Sequence, residues 1–147
     1  MRIALLLHLL SDVVWIGGMF LAYMAVRPAA LEALEPPQRL RLWAGMFRRF
    51  FPWVWAAVLL LLGSGFWMMN RMSIVPGTVM GMASIGIVMM LIFLHVYFAP
   101  FARLKRAVAA EDWKSGGAAL SQIRVLVGVN LVLGIVNIAV ATLGLPR

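Results

Sequence analysis

The stretch that decides the fold is LLLHLLSDVVWIGGMFLAYMAV, residues 5–26, an apolar run interrupted by one histidine, one aspartate and a Gly-Gly pair. It is long enough to cross about 30 Å of hydrocarbon as a helix. One helical face would carry the residues that recur every three, four or seven positions: His8, Asp12, Trp15, Met19 and Val26. Because ionisable residues inside a membrane usually point into a bundle or cavity, we predict that His8 and Asp12 belong to a functional site.

The composition identifies the class of protein. Of 147 residues, 64% are hydrophobic, whereas soluble domains are about 45–50% apolar. Further apolar segments at about 50–70, 79–102 and 122–144 join the first, at about 3–26. We predict an all-α, four-helix integral membrane bundle that forms a single transmembrane domain over residues 1–147.

The connection between the first two spans also has helical character. Leu40, Trp43 and Phe47 lie at helical spacing opposite several arginines. We predict an amphipathic helix at about 37–49 that leads into span two.

The basic residues predict the orientation. The net charge is +8, but the cations cluster at the ends of apolar runs, which indicates a bilayer rather than a nucleic acid as partner. Loops one and three carry nine of them: Arg27, Arg39, Arg41, Arg48, Arg49, Arg103, Lys105, Arg106 and Lys114. Only Arg2, Arg71 and Arg147 lie on the other side, so the positive-inside rule places both termini outside, which is the periplasm for a bacterial inner membrane protein. The first apolar run is longer than the apolar region of a usual signal peptide, so we interpret it as a membrane span.

Two histidines are the strongest candidates for chemistry. The chain has no cysteine, so thiolate sites are excluded, and its only histidines, His8 and His95, both lie in apolar segments. Imidazole is then the best remaining ligand for haem iron or copper, with thioethers from eleven methionines as a supplement.

Depth limits how the two histidines can cooperate. At 1.5 Å per residue, His8 lies roughly 8–10 Å and His95 about 18 Å below the outer surface. One small ion would not reach both without helix tilt, whereas a haem across the bundle is marginally compatible. The alternatives are a haem at His8 with a methionine on its other face, for which Met68 and Met69 are nearest in depth, or two separate sites.

Other polar and aromatic residues extend the candidate site. Asp12 would orient a ligand histidine or relay a proton, unless it is simply satisfied inside the bundle. Arg124 either snorkels to the interface or pairs with a propionate or an anionic substrate. Asn130 and Asn137 share one face of span four, and Trp15 would form the wall of a flat pocket. Small residues that would allow close helix packing or close cofactor approach are Gly17, Gly18, Gly63, Gly65, Gly77, Gly81, Gly128 and Gly134.

Three stretches resemble known families. The run from His8 to Phe20, HLLSDVVWIGGMF, followed by Val26-Arg27-Pro28, resembles the first helix of the copper resistance D (CopD) family and of HemJ-type protoporphyrinogen oxidases. Leu94-His95-Val96-Tyr97 is similar to the third helix of HemJ-type proteins, and residues 123–134 are similar to short CopD-like proteins. The lysine that HemJ-type proteins have early in the third helix is missing between Gly81 and Ser84.

The resemblance implies a small inner-membrane protein with haem b at His8, or copper handling of the CopD type. We therefore expect a haem-b protein with His8 and His95 as leading ligands, and electron transfer to a quinone or porphyrin as its role. The alternative is copper binding or transport through His8, Asp12 and methionines. A third hypothesis is a structural or assembly subunit, and a homo-oligomer is compatible with each of the three.

Overall fold

A computed structural model describes residues 1–144, and all regular structure in that range is helical. The helices are α1 (Arg2–Leu21), α2 (Arg27–Ala33), α3 (Pro36–Met69), α4 (Gly77–Phe98), α5 (Pro100–Ala109) and α6 (Trp113–Leu143), with a π turn (Ala22–Val26) between α1 and α2. Four segments are long and apolar enough to cross a membrane: Arg2–Ala33, Pro36–Met69, Gly77–Ala109 and Trp113–Leu143. The prediction of an all-α membrane protein with four spanning helices is confirmed.

The outer surface of the helices is apolar. Val13, Leu59 and Val132 are each at least 60% exposed, as are other large aliphatic side chains along the spans. Such a surface is stable only in contact with lipid, so the bilayer is a partner of this protein.

The π turn follows from a proline. Pro28 has no backbone N–H, and its ring would collide with the carbonyl one turn earlier in a regular helix. The chain widens at this point, and the Arg27 N–H donates to the Ala22 carbonyl, five residues back. The α1 helix therefore continues into α2 with a local change of register.

The α3 helix is longer than a bilayer requires. Its 34 residues extend about 51 Å, against roughly 30 Å of hydrocarbon. The predicted separate helix at 37–49 is the first part of α3, where Leu40, Trp43 and Phe47 are buried. The helix passes through Pro52, whose side chain is exposed.

The ends of α4 and α6 differ from the predicted span bounds, although the segments long and apolar enough to cross a membrane are Gly77–Ala109 and Trp113–Leu143. The α4 helix ends at Phe98 rather than near residue 102, because a residue before proline, here Ala99, disfavours helical geometry. The α6 helix begins at Trp113 rather than near 122, since Asp112 caps it by accepting the Ser115 N–H at 3.1 Å. The hydrogen bonds with Ser115 lower the pKa of the Asp112 carboxyl.

The short α5 helix closes one end of the bundle. It buries Phe101, Leu104 and Ala107 against α3, α4 and α6, while its cations remain exposed. The nine basic residues of loops one and three lie at this end, on α2, α3, α5 and α6, and we call it the basic end of the bundle. At the opposite end lie the N-terminus and the turn after Met69, with Arg2 and Arg71 as its described cations. Arg147 lies outside the described residues.

Aromatic rings fill the centre of the bundle. Phe51 stacks on Phe47 with ring centroids 5.1 Å apart and meets Phe101 edge-on at 4.8 Å. Phe93 meets Phe51 at 5.6 Å and Trp15 at 6.2 Å, both edge-on. Such pairs stabilise by about 0.5–1.5 kcal/mol each beyond their buried area, so this cluster fixes how the helices pack.

Only some of the glycines make close contacts. A Cβ on Gly18 would overlap the Phe50 ring, and one on Gly134 would lie 3.0 Å from the Ile16 side chain. A Cβ on Gly17 or Gly63 would meet nothing within 4 Å. Gly18 therefore allows α1 to approach α3, whereas its neighbour Gly17 faces outward.

We predict that Gly18→Ala destabilises the protein by roughly 1–3 kcal/mol, because the added methyl group forces the Phe50 ring to move. Gly17→Ala is the matched control and should be neutral or stabilising, since alanine favours a helix. The free energy of unfolding of both variants is measured in detergent, with circular dichroism as the signal. Equal loss of stability in the two would show that Gly18 is not a packing position.

We also predict that both termini lie on the side of the membrane opposite the basic end, as the positive-inside rule requires. The natural chain has no cysteine, so the labelling of a single introduced cysteine reports on which side of the membrane that residue lies. In intact spheroplasts an impermeant maleimide should label Ser73→Cys, between α3 and α4, and should spare Ala109→Cys, at the basic end. The reverse labelling would show the opposite orientation.

Candidate metal centre

His8 meets α3 at a single serine. The His8 Nδ1 atom lies 2.9 Å from the Ser64 Oγ atom, and Ser64 is buried while His8 is half-buried. His8 lies six positions after the start of α1 and Ser64 five positions before the end of the antiparallel α3, so they occupy nearly the same depth. A hydrogen bond between side chains therefore connects α1 to α3 inside the predicted span.

The direction of this hydrogen bond follows from the serine. The Ser64 hydroxyl has one hydrogen, which it donates to the Leu60 carbonyl at 2.5 Å. Its oxygen can then only accept from His8, so a neutral imidazole here carries its proton on Nδ1. In that form the His8 Nε2 atom keeps its lone pair, which is the state that a metal ion requires.

The imidazole also lies against the next residue of α3, Gly65. A Cβ added at Gly65 would lie 3.5 Å from the His8 Cε1 atom, which is ordinary van der Waals contact. The ring thus packs directly against α3 at Ser64 and Gly65. No flat cofactor fits between the ring and this part of α3.

The two predicted thioether ligands follow on the same helix. Met68 and Met69 come four residues after Ser64 and Gly65, which is one turn, or about 6 Å, farther along α3. Both are half-buried. Because helix side chains lean towards the N-terminus of their helix, these thioethers lean towards the level of His8.

Asp12 shares the inward face of α1 and is half-buried. Ser64, and not Asp12, holds the His8 ring, and within residues 1–144 no hydrogen bond or ion pair joins Asp12 to His8. Asp12 is therefore not the residue that orients the imidazole in this structure.

His95 lies apart from His8. Its side chain is exposed on the outer face of α4, on the same side as Leu91 and Phe98. It occupies the last turn of α4, 18 residues and about 27 Å from Gly77 at the opposite end of the helix. His8 lies only about 9 Å from the start of α1 at that same end, so the structure does not bring the two histidines together.

Trp15 and Asn130 lie in the centre of the bundle. They line the same small cavity of about 30 Å³, which has room for about one water molecule and none for a porphyrin or a quinone. The Asn130 side chain donates to the Met89 carbonyl at 3.2 Å, which connects α6 to α4. Within residues 1–144 the buried Asn130 Oδ1 atom has no hydrogen-bond partner.

Arg124 lies elsewhere again, on a cavity of about 250 Å³ towards the basic end. The predicted site residues therefore separate into four places: the His8 region, the bundle centre, the Arg124 cavity and the outer face of α4.

The donor atoms near His8 limit the chemistry. Within residues 1–144 no group of three or more His, Cys, Asp or Glu side chains could hold a metal ion. What α1 and α3 supply is one imidazole nitrogen and, one turn away, two thioethers. This soft and sparse set suits Cu(I) better than ions that need several oxygen ligands.

Ser64 is the residue that sequence reasoning missed. The signal was present, because Ser64 is an isolated hydroxyl in the Gly63-Ser64-Gly65 stretch of an apolar span, within one residue of the distance that separates His8 from its own helix end. Pairing polar residues of equal depth in antiparallel spans would have found it.

We predict that the His8 imidazole is in the Nδ1–H form and loses this preference in Ser64→Ala. Nitrogen NMR of protein labelled at histidine measures the form of each ring, and exposed His95 serves as an internal reference. Ser84→Ala is the matched control, because the Ser84 hydroxyl also donates to the carbonyl four residues back, at 2.9 Å, but is exposed. A dominant Nε2–H form of His8 in the natural protein would contradict the assignment.

Comparison with known proteins gives one match. Residues 44–143 match the family model described as copper resistance protein D (CopD), which is about two-thirds of the chain. The matched range includes Ser64, Met68, Met69 and His95, whereas His8 precedes it. No curated protein and no solved structure matches the chain significantly. Because the match extends from the first half of α3 to the end of α6, this four-helix membrane protein belongs to the CopD family.

Proposed function

We propose that this CopD-family protein binds copper in the membrane as cargo, with the His8 Nε2 atom as nitrogen ligand and the thioethers of Met68 and Met69 as sulfur ligands. The observation that carries the proposal is the hydrogen bond between His8 and Ser64. It holds the imidazole with its proton on Nδ1, so that Nε2 is free for a metal ion. The family description, copper resistance, names the metal that this donor set favours.

The oxidation state follows from the ligands. Cu(I) is soft, accepts thioether sulfur and imidazole nitrogen, and is stable with few ligands. A neutral imidazole and neutral thioethers also leave only one net charge at the site when Cu(I) is bound, which limits the cost of placing an ion in an apolar medium. Half-buried Asp12, one turn deeper, supplies a negative charge that would balance it.

Haem b with a quinone or porphyrin partner is the competing proposal. The free Nε2 atom of His8 would also ligate haem iron. However, His95 is on the outer face of α4, and the cavity of about 250 Å³ lies towards the basic end, away from His8. The thioethers of Met68 and Met69, one turn from Ser64 and Gly65, would suit either metal, and the family description, copper resistance, favours copper.

We predict that the purified protein binds Cu(I) and that His8→Ala weakens the affinity by at least tenfold. Loss of a group that merely orients a metal-binding histidine costs roughly 10–100-fold, so loss of the histidine itself should cost no less. Titration against a colorimetric Cu(I) chelator measures the affinity. His95→Ala is the matched control and should leave it unchanged.

The sulfur ligands have their own test. Met68→Leu together with Met69→Leu should weaken Cu(I) binding in the same titration, while Met80→Leu, an exposed methionine of α4, should not. Equal binding by His8→Ala and the natural protein would refute the copper site. A Soret band that disappears in His8→Ala would support haem b instead. If no variant changed metal binding or the absorption spectrum, a structural subunit would be favoured.

A further inference from the structure

A second site is present towards the basic end, far from His8. A cavity of about 250 Å³ opens between the π turn, α2, α3 and α6. Tyr23 forms part of its wall and lies 15 residues, or about 22 Å, along the α1 axis from His8. The cavity therefore has no part in the proposed copper site.

Three arginines line this cavity: Arg27, Arg39 and Arg124. The one ion pair within residues 1–144 joins Arg41 to Glu111, so none of the three has a carboxylate partner there. Three guanidinium groups around one cavity are stable only if an anion or water compensates their charge. Arg124 is exposed and Arg27 and Arg39 are half-buried, so an anion that enters the cavity meets three guanidinium groups that no carboxylate neutralises.

Two of these guanidinium groups are held in place. Arg27 lies over the Tyr23 ring, 5.6 Å from its centroid, and Arg39 donates to the Leu34 carbonyl at 3.3 Å. Each guanidinium has five N–H donors, so most remain available. Tyr23 itself packs against α6, because a Cβ at Gly128 would be 3.1 Å from its ring.

The rest of the cavity wall is mainly apolar. Its large hydrophobic members come from α2, α3 and α6: Leu31, Leu40, Trp43, Phe47, Leu120 and Val127. An inorganic anion would leave this surface in contact with water. A ligand that matches both parts carries an anionic group and a hydrocarbon portion.

The position of the cavity relative to the bilayer narrows the ligand class. Twenty residues of α6 ending at Leu143 span about 30 Å, so the hydrocarbon boundary lies near Arg124. Phosphate headgroups occupy the layer just beyond that boundary. Basic pockets between spanning helices at this level bind anionic lipid headgroups.

We propose that this cavity binds the phosphate headgroup of an anionic phospholipid. Arg27, Arg39 and Arg124 contact the phosphate, and the first part of an acyl chain lies along Leu40 and Trp43. The lipid then connects α2, α3 and α6 at the basic end of the bundle.

The test uses the full chain in a neutral detergent after removal of native lipid. Native mass spectrometry measures binding of phosphatidylglycerol, with phosphatidylcholine as the zwitterionic comparison. We expect phosphatidylglycerol to bind preferentially. Each arginine near the surface contributes about 1 kcal/mol, so Arg124→Gln and Arg39→Gln should each weaken binding about fivefold.

Arg48→Gln is the matched control, because Arg48 is an exposed arginine of α3 that does not line the cavity. It should leave binding within about twofold of the natural protein. An equal loss in Arg48→Gln would show general surface attraction and overturn the proposal. Arg124→Lys, which keeps the charge, should retain more affinity than Arg124→Gln and guards against a folding defect.

Inorganic phosphate and a soluble alkyl phosphate distinguish the sources of the anionic group. If the alkyl phosphate displaces the lipid and inorganic phosphate does not, the site requires both the phosphate and the hydrocarbon portion, as proposed. If inorganic phosphate displaces the lipid equally well, the cavity is a free-phosphate site and the lipid assignment is wrong. Equal binding of phosphatidylcholine would also overturn it.

Discussion

The hydrogen bond between His8 and Ser64 is the constraint on which the proposed site depends. It joins α1 to α3 where both are apolar. The Ser64 hydroxyl donates its only hydrogen to the Leu60 carbonyl, so it accepts the Nδ1 proton of the neutral imidazole and favours one of its two forms. Hydrogen bonds between spanning helices contribute about 0.6 kcal/mol on average. That value is small compared with the packing of the aromatic core, so the importance of this bond is chemical rather than energetic: in the neutral imidazole it favours the form that has the proton on Nδ1 and the lone pair on Nε2.

Packing makes that bond possible. Gly18 lets α1 approach α3 beneath the Phe50 ring, and Gly65 lets the imidazole lie directly against α3. A larger residue at Gly18 would overlap the Phe50 ring and disturb this approach of α1 to α3. The close contact of α1 with α3 also brings the start of α1 to the level of Met68 and Met69.

The sequence predicted the helical class, the four spans and the inward face of α1, because hydropathy and 3.6-residue periodicity are local properties. It did not predict that α4 stops at Phe98, since the effect of Pro100 competes with continuous hydrophobicity. Nor did it predict that His95 faces outward, because a period alone does not identify the buried face of a uniformly apolar helix. Arg124 was recognised as a possible anion partner, but its neighbours Arg27 and Arg39 come from other elements and meet it only in the folded chain.

The two proposed sites thus lie at opposite ends of one small bundle: a soft donor set near the start of α1 and a cationic cavity at the basic end. The central claim is that copper binds to His8 nitrogen and methionine sulfur. X-ray absorption spectroscopy of the Cu(I)-loaded protein tests it most directly. The account predicts an imidazole nitrogen and at least one sulfur bound to the same copper ion, with the nitrogen lost in His8→Ala. Copper bound only by nitrogen and oxygen, or an unchanged spectrum in His8→Ala, would contradict it.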